Sequence, residues 1–341
     1  MIETAKDIKL NVLPLELFCE HLYYYEGPCR FGSGDALKPG YDKVAFAKRA
    51  KEFVESIKEN VPEGVNVMDP VLFHRTDDWD EPEEQWRAME DAVNAADVVV
   101  PMAGAGVQDL GLKFAMRFKK TMCYCPASGQ FNVPDVPAGI AARDLDVECY
   151  SEYRWEDFKL RMIALRGKKI LANTKYLLVT RFDATTSVSR PDSFTSLDNV
   201  TRRLGTRFHV VNLHEFMDCM KPATPEGNYT TPGRKTPNID EEDLKRANEL
   251  CDELINGAES CSMSRELMLP SVIAFVATRK FMDRFDCNAF SIPCPDMCST
   301  RRINQEKFTM CLTHALNMES GIPSACEYDL PAALSQQALI A

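Results

Sequence analysis

PEEQWRAMEDAVNAADVVVPMAGAGVQDLGLKFAMRFKKTMCY, residues 82–124, is the stretch on which the fold turns. Pro82 opens a helix, since a first-turn residue needs no N–H partner. Trp86, Met89, Val93 and Ala96 follow at helical spacing. Val98-Val99-Val100 is an unbroken apolar run of the kind a strand shows when both its faces are buried. Leu110, Phe114 and Phe118 mark a second helix, and Met122-Cys123-Tyr124 a second strand. Strand and helix in alternation predict a parallel sheet with helices on both faces.

The pattern continues in both directions. Upstream lie the apolar run Lys9–Leu13, a helical face with Phe46, Ala50, Phe53, Val54 and Ile57, and the strand-like Val65-Asn66-Val67-Met68. Downstream, a helix carrying Trp155, Phe158, Met162 and Leu165 is expected to end at Gly167. A second alternation then begins, with Tyr176–Thr180 and Phe208–Val211 as strands and Leu197–Leu204 as a helix. The stretch 221–238, with four prolines and two glycines, reads as a long loop. Asp240 is the expected N-cap of the next helix, with Ile239 and Leu244 as a staple and Gly257 as its stop. Beyond it come a helix with Val272, Phe275, Val276, Phe281 and Met282, and a strand from Cys287 to Ile292. A helix with Phe308, Leu312, Ala315 and Leu316 follows, closed by Gly321. Last are a short strand Ser324-Ala325-Cys326 and a helix from Leu330. The fold class expected is therefore α/β, with two consecutive Rossmann-like, doubly wound domains at 1–165 and 166–341. The final helix keeps Leu334, Ala338, Leu339 and Ile340 apolar, which leads us to expect further residues beyond Ala341.

Length and composition bound the function. A chain of 341 residues exceeds one ordinary core. The net charge of −11 disfavours nucleic acid and anionic membranes as partners. No apolar run is long enough to span a bilayer. The charged N-terminus lacks the apolar core of a signal peptide. Thirteen cysteines without a disulfide-like spacing point to free, mostly buried thiols in a reducing cytoplasm.

The sharpest chemical cluster is Cys326-Glu327-Tyr328-Asp329, between a strand and a helix. In an open parallel sheet that junction lies at the carboxyl edge, where ligands bind. Glu327 and Asp329 are candidate oxygen ligands for a hard cation. Asp329 has a competing role as the N-cap of the last helix, the commoner use of such a residue.

Here the residues resemble a family. Asp286-Cys287-Asn288-Ala289-Phe290-Ser291-Ile292 leads into Pro293-Cys294-Pro295-Asp296. Then come Cys311-Leu312, Ala315-Leu316-Asn317 and Gly321–Leu334, which includes the Glu327 motif. The succession is similar to the end of the second domain of L-fucose/L-arabinose isomerase-like proteins. It is specific from Asp286 to Ala341, fair from Gly167 to His214 and faint before that. The resemblance implies a third, β-rich domain beyond residue 341 and a metal-dependent aldose–ketose isomerase of carbohydrate metabolism. The sugar would be a pentose or deoxyhexose, and the protein a homo-oligomer. Glu327 would be both a ligand of Mn2+ (or Mg2+ or Co2+) and the acid/base of the proton transfer between C1 and C2. No organic cofactor is implied. The other two metal ligands would lie past Ala341, so this chain alone is expected to be incomplete. The alternative is a non-catalytic, sugar-binding two-domain protein.

Weaker signals are set beside these. Asp296 follows the strand ending near Ile292 and is a candidate substrate-binding residue, with a turn aspartate as the competing role. Arg301 and Arg302 suit a solvated face better than a sugar site. Gly104-Ala105-Gly106 with Gly111 lacks the spacing of a dinucleotide fingerprint. Cys287, Cys294, Cys298, Cys311 and Cys326 lack a CxxC knuckle, and Cys123-Tyr124-Cys125 reads as buried thiols. His21, His74, His209, His214 and His314 form no metal-type pair along the chain, so structural roles are expected for them.

Overall fold

The computed structural model describes residues 2–24, 34–78, 80–103, 107–129, 135–181, 196–223, 237–299 and 301–340. The chain divides into two compact units, Lys9–Arg166 and Gly167–Ala341, the latter including Met1–Ile8. Each is α/β with a wholly parallel sheet.

The first unit runs β1 (Leu10–Glu20), α1 (Tyr41–Asn60), β2 (Val65–Val67), β3 (Val71–Thr76), α2 (Glu83–Ala88), α3 (Glu90–Ala95), β4 (Val98–Ala103), α4 (Gln108–Phe118), β5 (Thr121–Tyr124), α5 (Asp135–Ala141), β6 (Cys149–Ser151) and the start of α6 (Trp155–Asn173), whose residues from Gly167 on belong to the second unit. Its strand order is β2-β1-β4-β5-β6, with β3 also on β1. Leu13, Leu15 and Leu17 of β1 pack on one side with Trp86, Val93, Leu110 and Phe114. Leu10 and Val12 pack on the other with Phe53, Ile57, Phe158 and Met162. Helices therefore cover both faces, which is why the inner strands read as continuous apolar runs. Burying each such side chain contributes roughly 1.5–3 kcal/mol.

Pro14 sits in the middle of β1, where a missing N–H would break a ladder. The neighbouring edge is itself broken at that point. β2 pairs with Leu10–Val12 and β3 with Leu15–Glu20, so Pro14 falls between the two registers.

The second unit runs β7 (Lys175–Thr180), α7 (Leu197–Leu204), β8 (Arg207–Asn212), α8 (Leu213–Asp218), α9 (Glu241–Gly257), α10 (Arg265–Arg284), β9 (Ala289–Ile292), α11 (Cys294–Ser299), α12 (Arg302–Glu306), α13 (Cys311–Glu319), β10 (Ser324–Cys326) and α14 (Leu330–Ile340). Its order is β10-β9-β7-β8. Leu177 and Val179 face a core with Phe216, Phe281 and Met297. Tyr176 and Leu178 face Leu330 and Ala333 of α14. Ala5 and Ile8 pack against Ile170 and Ile340. In both units the first strand has its successor on one side and later strands on the other. The order thus reverses beside β1 and beside β7, which makes a crevice at the carboxyl edge of each sheet.

Several expectations change. Gly167 does not end its helix, since α6 continues to Asn173. The helix opened at Pro82 is two, α2 and α3, divided at Met89. The strand expected from Cys287 begins only at Ala289, and Phe308 precedes α13. Asp240 caps α9 as expected, in a reciprocal capping box with Asp243. The Gly104–Gly106 turn and most of the 221–238 loop lie outside the described residues. Gly111 is inside α4, where an added Cβ would meet Val136 Cγ2 at 2.8 Å. No helix among the described residues is long and apolar enough to cross a membrane. The described cysteines are all free thiols; Cys261, Cys298 and Cys311 are exposed rather than buried.

Candidate functional site at the carboxyl edge of the second sheet

β9 and β10 pair in parallel with Ile292 opposite Cys326, so both strands end at one level. Cys326 is the last residue of β10, and Cys294 opens α11 directly after β9. Their sulfurs are 3.1 Å apart. His314, buried on α13, completes the group, and the three donor atoms lie within 4.8 Å of one another. Cys294, His314 and Cys326 could thus hold a metal ion.

The histidine is firmly set. Its Nδ1 lies 2.8 Å from Ser324 Oγ, and Asn317 Nδ2 donates to the same hydroxyl at 3.2 Å. Arg279 in turn donates to Asn317 Oδ1 at 3.3 Å. Ser324 and Asn317 are both buried. The other ring nitrogen, Nε2, is buried and makes no hydrogen bond among the described residues. A buried polar atom without a partner is uncommon and asks for an explanation.

The sulfurs are electrostatically unequal. The hydrogen bond from Cys294, then the nearby His314 ring, holds the Cys326 thiol well below its ordinary value. The same hydrogen bond, with burial, raises Cys294. The backbone N–H of Glu327 favours the anionic form of both.

Glu327 follows at once, with an exposed side chain. It and Tyr328 have φ of 60° and 62°, consecutive left-handed conformations in residues other than glycine. Such backbone is costly and clusters at functional sites. Asp329 performs the capping role: its Oδ1 accepts from Ala332 N–H at 2.9 Å at the start of α14. Asp296 is buried in the first turn of α11, and its carbonyl accepts from Ser299 Oγ at 2.8 Å. Arg181, just past β7, donates to the same Ser299 at 2.9 Å. Arg302 is engaged by Asp218 and Glu306, at 2.9 and 3.0 Å. No third carboxylate or histidine among the described residues joins Glu327 and Asp329 in a ligand cluster.

The cysteine–histidine group went unpredicted because its members come from three elements and follow no motif spacing. A hollow of about 670 Å³ lies elsewhere in this unit, near Asn238, Asp240, Lys280 and Arg284. Lys280 there is already ion-paired to Asp240 at 2.8 Å, whereas the donors at the strand ends converge on one another.

The first unit has its own polar group toward the carboxyl end of β1. Glu16 has a fully buried side chain, and neither oxygen makes a hydrogen bond among the described residues. Its nearest cation is Arg49, with Nε 3.5 Å away. Burial pushes the Glu16 carboxyl up to about 8, against the pull of Arg49. Glu20, further along, meets Lys43 and His74, each at 3.0 Å. The sequence reading stopped this strand at Leu13 and so missed both glutamates.

No family model matches the chain, and no curated protein matches it significantly.

Proposed function

We propose that this chain supplies two Rossmann-like domains of a divalent-metal-dependent ketol isomerase acting on a pentose or deoxyhexose, with Glu327 as the proton-transferring carboxylate. One observation carries the reading. Glu327 is an exposed carboxylate at the carboxyl edge of a parallel sheet, held there by two consecutive left-handed residues. The motif resemblance around it supplies the reaction class.

The chemistry suits the residue. Aldose–ketose conversion takes a proton from C2 and returns one to C1 through an enediol. A carboxylate within hydrogen-bond reach of both carbons can carry that proton, which contributes typically about 10²–10⁴-fold. A divalent cation, Mn2+ by resemblance, would stabilise the enediolate oxygens. Asp329 keeps one oxygen for such an ion after capping α14. The reading requires further oxygen or nitrogen ligands, from a second copy of the chain or from a β-rich domain beyond residue 341.

The test is turnover of an aldose panel by the whole protein with manganese, read as ketose formed and as solvent deuterium entering the sugar at C1 or C2. Glu327→Gln should lower both by at least about 100-fold. Turnover that survives this change removes Glu327 from the reaction. Sugar binding without turnover in the unsubstituted protein would favour the non-catalytic alternative.

A further inference from the structure

The geometry points to a second kind of metal centre: Cys294 Sγ, His314 Nε2 and Cys326 Sγ bind one zinc-class divalent cation and leave its fourth position open. This does not rest on the isomerase reading, which concerns oxygen ligands and Glu327.

The donor set makes the first argument. Two thiolates and an imidazole select a borderline-soft cation such as zinc over manganese or magnesium, which prefer oxygen. Spacing makes the second. With Zn–S near 2.3 Å, two sulfurs of a tetrahedral site lie about 3.8 Å apart. The observed 3.1 Å asks them to separate by only about 0.7 Å. One sulfur sits at the first residue of a short helix and the other at a strand end, so small side-chain rotations suffice.

The histidine makes the third. A metal-bound imidazole usually has its other nitrogen fixed by a neighbour, which sets ring orientation and tautomer. Ser324 does this at Nδ1, backed by Asn317. That leaves Nε2, buried and without a hydrogen bond among the described residues, as the donor toward the sulfurs. A bound cation would satisfy it.

Three protein ligands leave one tetrahedral position free, the arrangement of catalytic rather than structural zinc. The ligand expected there is water or a substrate oxygen.

The experiment uses the whole protein, fully reduced and stripped with a chelator, with its thiols counted. Zinc is added and measured per chain, and cobalt(II) is used as the spectroscopic probe. We expect one zinc per chain, not displaced by excess manganese. Cobalt should give sulfur-to-cobalt charge-transfer absorption and the intense visible bands of a tetrahedral site. Cys326→Ser and His314→Gln should abolish the charge-transfer spectrum or weaken zinc binding at least 100-fold. Ser324→Ala, which keeps all three ligands, should weaken it by about 10- to 100-fold. Cys311→Ser, an exposed cysteine on the same helix as His314, should change nothing. The proposal is overturned if the reduced protein binds no stoichiometric zinc, or if Cys326→Ser retains both zinc affinity and the cobalt spectrum.

Discussion

Replacing Glu16 by glutamine should make the first unit more stable, and increasingly so as pH rises. The carboxyl's ordinary value is 4.5, and burial moves it to about 8 in the folded chain. Between those values the folded state holds a proton that the unfolded state has released. More protons bound in the folded state means that stability falls with rising pH. The slope is about 1.4 kcal/mol per pH unit, so the loss reaches roughly 3 kcal/mol at pH 7 and levels off at roughly 5 kcal/mol above pH 8. Arg49 offsets little, because its side chain is 40% exposed and stands 3.5 Å away. Glutamine has nearly the same shape and cannot ionise. The two proteins should match near pH 5 and diverge above it, with Glu16→Gln the more stable. Denaturant unfolding from pH 5 to 9 measures this, followed by tryptophan fluorescence. All three tryptophans, Trp79, Trp86 and Trp155, belong to the first unit, so the signal reports on it. The titration of His74, whose value burial lowers, occurs in both proteins and cancels. A difference in unfolding free energy that stays constant across this range would refute the reasoning.

Two further outcomes are expected in the second unit. Gly205 has φ of +78°, and an added Cβ would lie 2.8 Å from Ala172 Cβ and 2.9 Å from Ala172 Cα. Gly205→Ala should therefore cost about 1–2 kcal/mol in backbone strain plus the clash, seen as an earlier unfolding midpoint; an unchanged midpoint would show that the turn can rearrange freely. Asp240 accepts from Asp243 N–H at 3.1 Å to cap α9, and Lys280 with this cap lowers its carboxyl to about 2. Asp240→Ala should cost about 1 kcal/mol at neutral pH and Asp240→Asn clearly less. Because the folded value is depressed from 3.8, the charged part of this stabilisation is present above that pH and fades as pH falls toward 2. Equal losses for the two variants would argue against the cap.

Much of the fold was legible because its causes are local. Val98–Val100, Tyr176–Thr180 and Ser324–Cys326 are short apolar runs between helical periods, and each forms a strand. Asp240 before an apolar-periodic stretch, with Ile239 and Leu244 flanking it, is a capping signal that needs no distant partner. The misreadings arose where packing overrides local preference. Gly167 is carried through α6 as part of a longer helix. β1 runs on past Pro14 because its neighbours break register there, which nothing in Leu10–Glu20 itself announces.

The period of each element, and hence the parallel α/β class, follows from the order of residues along the chain. The same order determines that Glu327 follows a strand, and that Asp329 stands where a helix needs its cap. These depend on residues within a few positions of one another. Folding in three dimensions is what brings Cys294, His314 and Cys326 together, and what leaves Glu16 in a dry interior without a hydrogen bond among the described residues. The physical reason is that donor convergence and desolvation are properties of space. The strand order β10-β9-β7-β8 brings the ends of β9 and β10 together, and the packing of α13 against β10 lays its histidine beside them.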